Sequence, residues 1–250
     1  MMIYFFLLAQ VIFESLPISS SAHTILLTQF STINIPKSLD LFMHAPTVIM
    51  LLFYFYTEWS YVLLHYKNYQ KRIFYWASLV FIANCLTVLC AVIVHVVDIR
   101  LFPLSLGLGI TAVSLLSLRY IPKFPESLIN TQQACIIGVV QGIALLPGIS
   151  RLGLTYSIGR WLGLSSYSAF RFSCALQITL FTAGSFLGFI QSLKEPLLWE
   201  ILNYNFLLLT IGACIIAYML LAFVERCMRT NTLWYFGIYM ILPTLLALFS

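Results

Sequence analysis

The sequence predicts an all-α polytopic membrane protein of two inverted-topology repeats, each a re-entrant helical hairpin plus three transmembrane helices. Three observations lead there: composition, the length of the apolar runs, and an internal duplication. Across 250 residues, hydrophobic types make up 61% and charged types 8%, and the mean hydropathy is +0.97. A soluble domain carries roughly 25% charged residues, because its surface faces water. The 13 Lys and Arg with 8 Asp and Glu cannot coat a globule of this size, but they suffice where a belt faces lipid. A disordered chain, a disulfide-rich secreted domain and a nucleic-acid binder are excluded. The net charge of +5 comes from Lys and Arg scattered along the chain, so their placement reports topology instead.

A helix crossing the roughly 30 Å hydrocarbon core at about 1.5 Å per residue needs about 20 apolar residues. Six runs are predicted to span, at 38–57, 73–97, 101–119, 169–191, 205–223 and 233–249. Two further stretches do not fit straight spans: 3–27 is broken by SLPISSSAH, and 133–163 by LPGISRLG. A span with such a break would turn unsatisfied backbone toward lipid, which is not tolerated. Both are therefore predicted to be re-entrant helix–turn–helix hairpins buried within protein. The first residues, MMIYFFLLAQVIFE, lack the positive n-region and small-residue cleavage site of a removable signal peptide. Cys85, Cys90, Cys135, Cys174, Cys214 and Cys227 form no CxxC pair and read as reduced packing residues.

The two broken stretches are related by a fixed offset of 131 residues, which places Gln10 on Gln141, Ile18 on Ile149, Ser19 on Ser150, Ala22 on Gly153 and Thr24 on Thr155. The six spans follow the same offset within a few residues. Residues 1–250 thus form a single membrane domain, with a first repeat over 1–119 and a second over 133–250. Each repeat holds an odd number of spans, so the second lies upside down, and inverted repeats of broken helices place polar sites at their interface. Lys67, Lys71, Arg72, Arg119, Lys123, Arg226 and Arg229 share one side, and Lys37, Arg100 and Lys194 the other. The positive-inside rule puts the first set in the cytoplasm and makes the first hairpin enter from outside.

Ionisable groups within membrane segments are costly and mark candidate sites. Glu14, His23, Arg151 and Arg171 stand out, with Gln10, Ser19, Ser20, Ser21, Ser150 and Thr155 beside them. Gln10 and Glu14 share one helix face at i, i+4. Glu14 precedes the Pro17 break and His23 follows it, so the turn can fold the two together. A carboxylate, hydroxyls and an imidazole in one pocket suit nucleophilic attack, proton transfer or metal binding. The competing reading of Ser21 is a helix cap. In the second hairpin, Pro147-Gly148-Ile149-Ser150-Arg151 runs from a helix end into a helix start. Free N–H groups there, with a guanidinium fork, make an anion site, and Gly148 would let the backbone approach a ligand closely. Arg160 and His95 read as interfacial or cavity residues without a role. One hairpin supplies Glu, Ser and His and the other an anion cradle, which suits handling or cleavage of a phosphate on a membrane-embedded substrate.

The motifs Gln10-x-x-x-Glu14 followed by Leu16-Pro17-Ile18-Ser19-Ser20-Ser21-Ala22-His23, and Gly138-x-x-Gln141 leading to Pro147-Gly148-Ile149-Ser150-Arg151-x-Gly153-x-Thr155, resemble those of the undecaprenyl-pyrophosphate phosphatase family, also called the bacitracin-resistance family. Weaker echoes are Asp40-x-x-x-His44-x-x-Thr47 and Arg171-Phe172-Ser173. The resemblance implies removal of the terminal phosphate of undecaprenyl diphosphate, recycling the carrier lipid for peptidoglycan synthesis. It implies a bacterial inner-membrane enzyme, a divalent cation (Mg²⁺ or Ca²⁺), and an active site opening to the periplasmic side. Carried over by position, Glu14, His23, Ser20 and Ser19 are catalytic. Ser150, Arg151, Thr155 and Gly148 bind pyrophosphate, and Glu14 with Gln10 hold the metal. Leu152, Ala22, Pro46, Ile178 and Met240 depart from the family pattern, and Gln10 leaves only one carboxylate in the first motif. Inverted repeats with broken helices also occur in transporters, so a polyprenyl-phosphate flippase without hydrolysis is the alternative. The identity of the nucleophile (Ser, His or water) and assembly as a homo-oligomer both stay open.

Overall fold

The computed structural model describes residues 2–29, 36–96, 102–193, 199 and 203–249. Arg100, Lys194, the side chain of His95 and most of the 28–37, 98–101 and 192–203 loops lie outside them. Most of the described residues are helical, with no strand among them. The first hairpin is α1 (Met2–Glu14) and α2 (Ser20–Gln29), followed by α3 (Lys37–Phe42), α4 (His44–Tyr54), α5 (Tyr56–Leu64), α6 (Tyr66–Val96) and α7 (Leu104–Ser117). The second hairpin is α8 (Thr131–Ile143) and α9 (Arg151–Trp161), followed by α10 (Ser166–Ser192), α11 (Tyr204–Arg229) and α12 (Tyr235–Leu246).

Helix starts follow side chains that satisfy the first free N–H groups. Ser19 Oγ accepts from Ala22 N–H at 3.3 Å, Ser150 Oγ from Gly153 N–H at 3.1 Å, and Ser165 Oγ from Ser168 N–H at 3.1 Å. Asn130 and Gln133 form a reciprocal capping box at the start of α8. Shifted by 131 residues, the start of α2 (Ser20) falls on that of α9 (Arg151), and the start of α7 (Leu104) on that of α12 (Tyr235). Local bonding follows the same offset: Thr24 Oγ1 donates to the Ser20 carbonyl (3.0 Å) and Thr155 Oγ1 to the Arg151 carbonyl (2.8 Å).

The run expected to span at 38–57 is not one straight helix. It breaks at Met43 between α3 and α4, and α5 then departs at 60°. Pro46 explains the first break: it has no N–H to give the Phe42 carbonyl, and its ring crowds that carbonyl, so the helix restarts with Pro46 in its first turn. The spans expected at 101–119 and 233–249 are also shorter than a full crossing. At about 1.5 Å per residue, the 14 residues of α7 and the 12 of α12 fall short of a roughly 30 Å core. Pro103 fixes the start of α7, and Pro243 sits inside α12. Among the described residues, three helices (α6, α10 and α11) are long and apolar enough to cross a membrane, or four if α3–α5 count as one bent span.

Each hairpin packs on helices of the other half. The α8 helix lies on α6, where a Cβ on Gly138 would come within 2.6 Å of Ala83 Cα. Thr87 Oγ1 donates across this contact to the Gly138 carbonyl at 2.9 Å. In turn α1 lies on α11, with the Tyr4 and Phe206 rings 5.3 Å apart. The α7 and α12 helices pack closely at Gly237, where a Cβ would meet Leu116 N at 2.8 Å. The α10 helix runs along α3, α4 and α9. Large apolar side chains such as Phe81, Val113, Phe186 and Met219 point outward, as in a lipid-facing belt. All six cysteines are free.

Candidate active site

The Pro17 and Pro147 breaks bring the two hairpin turns together around one cavity of about 150 Å³. Glu14, Leu16, Ile18, Ser19, Ser20 and Ser21 line it from the first hairpin, and Ala144 to Leu146 with Ile149 to Leu152 from the second. Gln177 and Phe181 of α10 form a further wall. The helix starts at Ser20 and Arg151 both border the cavity, so two sets of free N–H groups and two positive dipole ends reach it.

Glu14 is buried, and its histidine is not the one expected. Oε1 pairs with His44 Nδ1, and Oε2 accepts from Thr47 Oγ1 at 2.5 Å. His23 lies on α2 outside the cavity lining, with Nδ1 2.7 Å from the Ser19 carbonyl and Nε2 3.0 Å from Tyr239 Oη. The expected Glu14–His23 approach is therefore corrected: one turn into α2, His23 faces α12, whereas the break at Met43 turns the start of α4 onto Glu14. The signal in the sequence was Asp40-x-x-x-His44-x-x-Thr47, whose polar residues recur at helical spacing.

The serines divide their work. Ser19 Oγ caps α2 and lies 3.2 Å from Ser21 Oγ, so the cap expected of Ser21 belongs to Ser19. Ser20 Oγ makes no hydrogen bond among the described residues and borders the cavity. Ser150 also borders it while capping α9. Its N–H donates to Thr111 Oγ1 at 2.9 Å, and that hydroxyl lies 3.1 Å from the carbonyls of Gly107 and Gly148. Thr111, silent in the sequence, thus braces the second turn.

Two anion-cradle residues take other positions than expected. Gly148 has φ +88°, and a Cβ there would meet Leu104 O at 2.5 Å and Leu108 N at 2.8 Å. Its close approach is to α7, so it shapes the turn rather than opening backbone to a ligand. Thr155 is buried below the cavity, its hydroxyl returned to the Arg151 carbonyl. Arg151 itself makes no ion pair among the described residues, and its guanidinium carbon sits 4.3 Å from the Phe181 ring centroid. Phe181 also stacks on His44, with centroids 4.4 Å apart and planes 4° from parallel. Arg151 is thus held on an aromatic plate with its hydrogen-bonding edges available.

Arg171 and Arg160 belong elsewhere. Arg171 pairs with Glu58, which also accepts from Tyr167 Oη at 2.8 Å, and nearby Glu225 accepts from Tyr54 and Arg229. That network ties α5, α10 and α11. Arg160 is buried and donates to the carbonyls of Leu164 (2.5 Å) and Pro122 (2.7 Å), anchoring the segment after α7.

The expected metal pair does not form a resident site. Gln10 Nε2 donates to the Asp40 carbonyl at 3.0 Å, and both Glu14 oxygens are engaged. Among the described residues no group of three or more His, Cys, Asp or Glu could hold an ion. A hard divalent cation seeks about six oxygen ligands, and these two side chains do not supply a cage for one.

Comparisons with known proteins agree with the motifs. The chain is 28% identical over 251 residues to an undecaprenyl-diphosphatase of Borrelia hermsii, covering 96% of this chain and 94% of the relative. It is 32% identical over 247 residues to undecaprenyl-diphosphatase 1 of Bacillus licheniformis, covering 90% and 88%. With the undecaprenyl-diphosphatase of Thermodesulfovibrio yellowstonii it shares 30% over 193 residues, covering 74% and 72%. The family model described as bacitracin resistance protein BacA matches residues 5–246, nearly the whole length, and the chain belongs to that family.

Proposed function

We propose that the protein is an integral-membrane phosphatase that hydrolyses undecaprenyl diphosphate to undecaprenyl phosphate and inorganic phosphate. The observation that carries this is the Arg151 guanidinium, without an ion pair among the described residues, sharing a cavity with Glu14, whose carboxylate is held by His44 and Thr47, and with the free Ser20 hydroxyl. Arg151 and the N–H groups opening α2 and α9 hold the diphosphate oxygens and stabilise charge developing on them. Glu14 and His44 take the proton from the attacking group, while Thr47 fixes the second carboxylate oxygen. The attacker is Ser20 or a water. The bond from the terminal phosphorus to the bridging oxygen breaks, and that oxygen leaves with the prenyl phosphate. If Ser20 attacks, water then cleaves the phosphoserine. What speaks against attack by His23 is that both its ring nitrogens have partners. A divalent cation, where one takes part, would be held mainly by the diphosphate oxygens and would offset their negative charge.

The inverted arrangement of the repeats belongs to the same proposal. Its supports are the common offset of helix starts and the exchange of hairpins between halves, α8 on α6 and α1 on α11. Placement in the bacterial inner membrane with the cavity opening to the periplasm belongs to it too, and rests on Lys67, Lys71 and Arg72 at the start of α6 and on Arg226 and Arg229 in the last turn of α11. Phosphate release from undecaprenyl diphosphate by purified protein in detergent tests the activity. Head-group binding without release would favour the flippase reading instead.

A further inference from the structure

The α10 helix contributes two side chains to the cavity that no motif singles out. Gln177 and Phe181 lie at i, i+4, so they share one helix face, and both line the space between the two hairpin turns. Phe181 is accounted for by its contacts with Arg151 and His44. Gln177 is not: only 6% of it is exposed, yet its amide makes no hydrogen bond among the described residues. An amide carries two N–H donors and a carbonyl acceptor, and those of Gln177 are open to whatever fills the cavity. Ser19, Ser150 and Glu14 on the same walls have their polar atoms engaged. Gln177 borders the cavity beside the free Arg151 guanidinium with donors to give.

We infer that Gln177 is a substrate-binding residue, donating its amide N–H to a diphosphate oxygen beside Arg151. This rests on the phosphatase reading for its ligand. A phosphate oxygen is the partner that fits: the Arg151 guanidinium and the two helix starts on the same walls as the Glu14 carboxylate favour an acceptor-only anion over a neutral group. Because Gln177 has no hydrogen-bond partner among the described residues, replacing it removes no bond seen in the empty protein. The binding role and a packing role therefore separate cleanly.

The experiment compares wild type with Gln177→Met, which keeps the unbranched shape and approximate volume, and with Gln177→Glu, which sets a negative charge against the phosphate. Three quantities are read on purified protein in detergent: KM and kcat for undecaprenyl diphosphate, the melting temperature without ligand, and the rise in melting temperature with inorganic pyrophosphate. A hydrogen bond to a charged acceptor corresponds to roughly tenfold or more in affinity, so Gln177→Met raises KM by about that factor. Its kcat stays within about threefold of wild type, its unliganded melting temperature holds, and pyrophosphate protection weakens in parallel. Gln177→Glu raises KM further. Unchanged KM and unchanged pyrophosphate protection in Gln177→Met would overturn the inference, as would a lowered unliganded melting temperature with KM unchanged. If wild type releases no phosphate, the phosphatase reading falls, and the pyrophosphate arm still decides on Gln177.

Discussion

Replacing Arg151 with Lys keeps the positive charge and removes the planar fork. The guanidinium lies 4.3 Å from the Phe181 ring centroid and makes no ion pair among the described residues, so its loss acts mainly on the ligand. One of two parallel charge-assisted hydrogen bonds disappears, at roughly 1.5–3 kcal/mol. Weaker seating of an ammonium on Phe181 adds roughly 0.5–1 kcal/mol. Together these give about 2–4 kcal/mol, or a fall in kcat/KM of roughly 30- to 900-fold. Phosphate release from undecaprenyl diphosphate by purified protein measures it, and a thermal melt shows that the variant is folded. If Arg151→Lys keeps kcat/KM within about threefold of wild type while folded, the bidentate argument is wrong, and Arg151 acts only as a point charge.

Other substitutions probe the remaining walls of the site. Glu14→Ala and His44→Ala each lower kcat by roughly 10²- to 10⁴-fold, and the double variant is little worse than the poorer single one, because the pair works as a unit; additive losses would separate the two residues. Gln10→Glu leaves the half-saturating Mg²⁺ concentration unchanged in a metal titration, since Gln10 is turned to the Asp40 carbonyl rather than to a ligand site; a lowered requirement would make position 10 a metal ligand. Gly138→Ala drives a methyl into the Ala83 backbone and lowers stability by roughly 1–3 kcal/mol, seen as a lower melting temperature in detergent. Tyr239→Phe leaves His23 Nε2 without its partner and destabilises by roughly 1–3 kcal/mol in the same assay, with KM little changed.

The hairpins were legible because Pro, Ser and Gly interrupt apolar runs, and such residues act locally on backbone geometry. Ser19 and Ser150 mark helix starts for the same local reason. The partner of Glu14 was not legible. His23 is near in sequence and His44 is thirty residues away, and only the break at Met43 decides between them. That break did have a local cause in Pro46, hidden inside a run whose hydropathy alone suggests one span. Gly148 was read for its conformational freedom, which is real, but what lies against it is α7, a non-local fact. Thr111, Gln177, Phe181 and Tyr239 sit on ordinary membrane helices, where nothing in the local pattern distinguishes a brace or a cavity wall from a buried packing residue.

The exchange of hairpins between halves also sets an order of events during synthesis. The α1 helix finishes at Glu14, but α11, against which it packs, begins at Tyr204. At roughly 5–20 residues per second, the ribosome needs about 10–40 s to cover that distance. Throughout that interval the first hairpin, with its carboxylate and serines, lacks α11, and for most of it lacks the Arg151 wall as well. The α8 helix has no such wait, because α6 is already made when α8 emerges. The late-arriving α11 and α12 therefore close the molecule, and a ribosome stalled before them leaves the polar turn of the first hairpin to be covered by something other than its own chain.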